Sequence, residues 1–150
     1  MCGLLVIPAA ASAASAQMLT DTFGLFTIDI TLPANTLSID LPIAASDGVK
    51  YNDRVDVIGV TVVDTDGVAA DTVKTQALLL GTAPISTNNR YRIEAGETAT
   101  FTLVILVEFP EPVSSQLQAR ITKLPYWYDD RRTTMHQNQL DELAKPTLEL

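Results

Sequence analysis

One cysteine, Cys2, and one histidine, His136, stand in 150 residues. A single cysteine excludes an internal disulfide. Zinc centres draw three or four ligands from Cys, His and carboxylates, and this supply argues against one. Basic residues are scarce as well, with 10 Lys and Arg against 18 Asp and Glu and a formal net charge of −8. Nucleic-acid phosphates and anionic lipid both call for clustered Lys and Arg, so neither is an expected partner. The chain has no G-x-S-x-G, no P-loop and no G-x-G-x-x-G. A Ser-His-Asp triad or a Cys–His pair could use only His136, in the polar stretch 133–139, where no orienting partner is marked. The paired acids Asp129-Asp130, Asp141-Glu142 and Asp53/Asp56 lie in polar segments, where carboxylates are solvated. Glycosidase chemistry needs two of them about 5–10 Å apart across a cleft. No enzyme is expected.

What is present is a globular composition, 47% hydrophobic and 19% charged, too apolar for a disordered chain. The length suits one domain that hides about two-thirds of its unfolded surface without staples. Residues 1–16 carry no charge. Leu4–Ile7 is a short apolar run, and Ala11-Ser12-Ala13 and Ala14-Ser15-Ala16 both have the A-x-A form read by signal peptidase. The stretch is too short to span a bilayer, which takes about 20 apolar residues. The expectation is a secretory leader over 1–16, cleaved before Gln17, and a single domain over 17–150. The alternative is an Ala/Ser leader that stays, or an added β-strand. No membrane insertion is expected once the leader is gone.

From Thr22 onward the hydrophobic period is two. Phe26–Leu32 and Leu37–Leu41 alternate, separated by Pro33-Ala34-Asn35. Val55–Val63 is β-branched and nearly continuous, the pattern of a strand buried on both faces. Strands follow at Thr72–Leu80, Arg90–Ile93, Thr98–Phe109, Gln116–Leu124 and Thr147–Leu150. The turn Glu94-Ala95-Gly96-Glu97 leaves Gly96 free to take positive φ. In Thr98–Phe109 the residues Phe101, Leu103, Ile105, Val107 and Phe109 share one face. After Pro125 the pattern changes: Tyr126–Arg132 is aromatic and charged, and Thr134–Ala144 is polar, with Leu140 and Leu143 at helical spacing, which reads as one short helical turn or an irregular loop. Seven to eight short strands with regular turns predict an antiparallel, Ig-like β-sandwich with a loop-rich C-terminal third.

Two segments carry a resemblance: Arg92-Ile93-Glu94-Ala95-Gly96-Glu97-Thr98-Ala99-Thr100-Phe101-Thr102-Leu103, and the closing Leu140-Asp141-Glu142-Leu143-Ala144-Lys145-Pro146-Thr147-Leu148-Glu149-Leu150. With the opening strand at Phe23–Leu32, their order resembles the C-terminal Ig-like β-sandwich of large uncharacterised secreted proteins of candidate-phyla, ultrasmall bacteria. That resemblance covers about residues 22–150. It implies fold and surface location and supplies no catalytic residue.

Three groups of residues are candidates for binding. Asp64-x-Asp66-Gly67, with Asp71 beyond, looks like half of a calcium loop, or else a hydrogen-bonded Asx turn. Tyr126-Trp127-Tyr128 could stack on sugar or form a protein hot spot; the competing expectation is that Trp127 plugs the core. Val104 and Leu106 fall on the outer face of their strand, which suggests cover by another part of the chain or by a partner.

The function these readings predict is a secreted, cell-surface-associated, non-catalytic interaction or structural module. Two alternatives stay open. One is a subunit of an extracellular filament or surface layer assembled by β-strand donation. The other is a carbohydrate-binding module. Expected partners are protein or a cell-surface polymer, with homo-oligomers included. No cofactor is expected apart from calcium.

Overall fold

The computed structural model describes residues 11–34, 37–43, 57–113, 115–128, 131–135, 140 and 145–148. The order is β1 (Ala11–Met18), β2 (Phe23–Pro33), β3 (Ile39–Pro42), β4 (Gly59–Val63), β5 (Lys74–Gly81) and β6 (Arg90–Ile93), then β7 (Thr98–Glu108), β8 (Leu117–Lys123), β9 (Pro125–Tyr128), β10 (Arg131–Thr134) and β11 (Thr147–Leu148). They form three antiparallel sheets, β1-β2-β7-β5, β10-β9-β3-β6 and β11-β8-β4. The fold is all-β and sandwich-like.

Alternation builds the core. Phe26, Ile28, Ile30 and Leu32 of β2 lie beside Phe101, Leu103 and Ile105 of β7, with Ile28 opposite Leu103 and Ile30 opposite Phe101. Ile39 and Leu41 of β3, Val60 and Val62 of β4, and Leu117, Ala119 and Ile121 of β8 complete the same core cluster. Polar satisfaction locks one corner: the Tyr91 hydroxyl donates to the Leu79 carbonyl at 2.9 Å, and its ring meets Phe101 at 5.2 Å. Pro33 ends β2, and the chain crosses from the first sheet to the second at that break. Gly96 takes φ +83 in its turn, where a side chain would be strained.

Two parts depart from the sequence reading. Pro125–Tyr128 and Arg131–Thr134, in a stretch read only as aromatic and charged, pair as β9 and β10, and the described strands number eleven. A four-residue strand is too short to show a period, and its aromatics mask the alternation. Residues 11–16 also lie in a strand: β1 pairs with β2 over its whole length, Ala11 opposite Thr31 through Met18 opposite Gly24. Backbone pairing is joined by Ala16 and Met18, which pack against the core, and by the Ser15 and Thr27 hydroxyls, 2.5 Å apart. Cleavage before Gln17 would remove six of the eight β1 residues. Cys2 and the rest of residues 1–10 lie outside the described residues.

Candidate functional site

The Asp64–Gly67 turn follows β4 directly. Asp64 Oδ1 accepts from the backbone N–H of Asp66 at 2.9 Å and of Val68 at 3.0 Å. Gly67 N–H returns to the Asp64 carbonyl at 3.1 Å. This is an Asx turn, the second of the two readings of that motif. Asp64, Asp66 and Asp71 are not gathered into a metal-holding group, nor are any other three acidic, His or Cys residues among those described. Calcium needs 6–8 oxygens, and one Asp64 oxygen is already committed to backbone.

The aromatic cluster splits between two faces because neighbours on a strand point oppositely. Tyr126 is buried in the core cluster, with the Tyr128 ring 6.2 Å away. Trp127 is also buried, at 9% exposure against 3% for Tyr126, yet is not part of that cluster. Its cover is the Arg90 guanidinium, 3.7 Å from the ring centroid, a cation–π contact. Both rings are buried, Tyr126 within the core cluster and Trp127 beneath Arg90. The three rings offer no exposed common plane.

Burial lifts the Tyr126 phenol above its ordinary 10.0; a hydrogen bond with Thr133 opposes this and neighbouring Tyr128 adds to it. An unfolded tyrosine ionises first, so this contribution to stability is complete below about pH 10 and is lost as pH rises through the folded value. Absorbance titration should show Tyr126 ionising after an exposed tyrosine, and Tyr126→Phe should flatten the alkaline fall in melting temperature. An unchanged alkaline profile in that variant would remove Tyr126 as the cause.

Val104 and Leu106 occupy the outer face of the first sheet, each half-buried. Register places Leu25, Leu106 and Gln76 in one row across it, and Thr27, Val104 and Leu78 in the next. Leu78 and Leu80 are 45% and 46% exposed. The result is an apolar lane from β2 to the β5 edge. Beside it the face is polar: Thr102 donates to Asp29 at 2.6 Å, and the Thr31 and Thr100 hydroxyls lie 3.0 Å apart.

A second feature lies on the third sheet and had no sequence signal beyond a charged residue at an outward position. Arg120 of β8 stands opposite Thr61 of β4, and Gln118 stands between Val63 of β4 and Thr147 of β11. Arg120 is half-buried and lines two clefts. One, of about 220 Å³, is shared with Asp64, Thr65, Gln116, Gln118 and Thr147. The other, of about 340 Å³, is shared with Thr61, Val63, Thr122, Leu140 and Lys145 among others.

No family model and no curated protein matches this chain. His136, Asp129-Asp130, Asp141-Glu142 and Asp53/Asp56 lie outside the described residues. No helix among the described residues is long and apolar enough to cross a membrane.

Proposed function

We propose that this chain is a secreted, cell-surface-associated, non-catalytic interaction or structural module of Ig-like type, which docks an apolar protein surface on the outer face of β1-β2-β7-β5. The supporting observation is the lane formed by Leu25, Val104, Leu106, Leu78 and Leu80, which sits on a regular sheet with Leu78 and Leu80 nearly half exposed. Contiguous exposed apolar surface marks interaction sites. Its chemistry suits a protein better than a sugar or a charged polymer, because it presents few hydrogen-bonding groups. The A-x-A sites of the leader support secretion; cleavage before Gln17 would take most of β1 but none of the lane, whose residues lie on β2, β7 and β5.

Leu78→Asp and Leu106→Asp test the reading. Light scattering should show the parent assembling, while both variants melt within a few degrees of it and stay monomeric. A strong drop in melting temperature for Leu106→Asp would mean that the lane is covered within the chain. No change in either measurement would leave these leucines as ordinary surface residues and end the case for a partner.

A further inference from the structure

Opposite charges that share a cleft usually close on each other. Asp64 and Arg120 line the same 220 Å³ cleft, yet they form no ion pair. Each is held by its own side of the fold. Arg120 Nε donates to Gln118 Oε1 at 2.7 Å, Gln118 Nε2 donates to Thr147 Oγ1 at 3.3 Å, and the Thr147 hydroxyl donates to the Lys145 carbonyl at 3.3 Å. That chain of bonds ties the guanidinium to β11. On the far side Asp64 Oδ1 is fixed by two backbone N–H groups of its turn. Among the described residues, none makes a hydrogen bond or ion pair with the Arg120 Nη groups or with Asp64 Oδ2. Two strong hydrogen-bonding heads are thus positioned and half-buried, with hydroxyls and an amide lining the same cleft.

We infer that the Arg120–Asp64 cleft binds a carboxylate-bearing sugar unit, a uronic acid, with the carboxylate on the Arg120 Nη groups and ring hydroxyls on Asp64 Oδ2, Gln118 and Thr147. The planar guanidinium fork matches a carboxylate in two parallel bonds. A fixed carboxylate, an amide and hydroxyls match a polyol, which both donates and accepts. The volume is below the ~300–1,000 Å³ usual for larger ligands, so one ring is the occupant. Because both heads are already held by intramolecular bonds, little side-chain entropy is lost on binding. The cleft is on a different sheet from the apolar lane, and its failure leaves the docking reading untouched.

The test is NMR titration of the full chain with glucuronate and galacturonate, beside glucose, galactose and acetate. The uronates should shift the backbone amides of Thr65, Gln118, Arg120 and Thr147, with neutral sugars and acetate at least tenfold weaker. Arg120→Ala should lower uronate affinity roughly tenfold or more, the usual loss for a charge-assisted contact. Asp64→Asn keeps an oxygen for the turn; it should weaken uronate binding several-fold and guards against Arg120→Ala failing to fold. Leu78→Asp should bind uronate as the parent does. Equal binding of acetate and glucuronate would overturn the sugar assignment. Absence of shifts, or uronate binding unaffected by both cleft variants, would overturn the site.

Discussion

Replacing Leu103 with alanine is expected to cost about 2–5 kcal/mol, the range for a buried leucine truncated in a packed core. Leu103 has no solvent exposure and sits at the middle of β7, between Ile28 of β2 and Leu79 of β5. Thr102, one residue away, points out. Its hydroxyl bonds Asp29 at 2.6 Å on the exposed face, so Thr102→Ala should cost only about 0.5–1.5 kcal/mol. Urea or thermal unfolding of the two variants measures the contrast. Comparable losses would mean that β7 does not divide its faces as the register shows.

Gly81→Ala is the second substitution with a large expected effect, and its sign runs against propensity. In a strand interior, alanine for glycine ordinarily stabilises by about 0.5–1 kcal/mol through backbone entropy. Gly81 lies opposite Phe101. A Cβ there would press on the Phe101 ring, 2.8 Å from Cε1 and closer still to Cδ1. The ring cannot swing away, because Phe101 is 1% exposed and Tyr91 packs against it. Overpacking of this kind costs about 1–3 kcal/mol, so the net outcome should be destabilising. Phe101→Leu makes room and should recover part of the loss, visible as a coupling of about 0.5–3 kcal/mol in a double-mutant cycle. A stabilised Gly81→Ala protein would show that the ring yields.

Sequence reasoning worked where a strand was long enough to display its period. Phe26–Leu32 and Thr98–Phe109 could be assigned to faces residue by residue, and the structure buries Ile28, Ile30, Phe101, Leu103 and Ile105 as alternation requires. It failed at Pro125–Thr134. There the strands are short, and the aromatic run hides the alternation that sets Tyr126 in the core cluster and Trp127, also buried, under Arg90. It was divided at Asp64, where one turn motif serves both calcium loops and Asx turns. It was silent on Arg120, because a lone arginine at an outward position is the commonest sight on any sheet.

By itself, then, the sequence determined the all-β class, the inward faces of the long strands and the turn at Gly96, since these depend on neighbours within a few residues. Tertiary structure decided which strands pair, that residues 11–18 add to β2, that Leu78 continues the row of Val104, and that Arg120 shares a cleft with Asp64. Those relations join residues far apart along the chain. Strand order and sheet packing create them, and a local pattern carries no record of either.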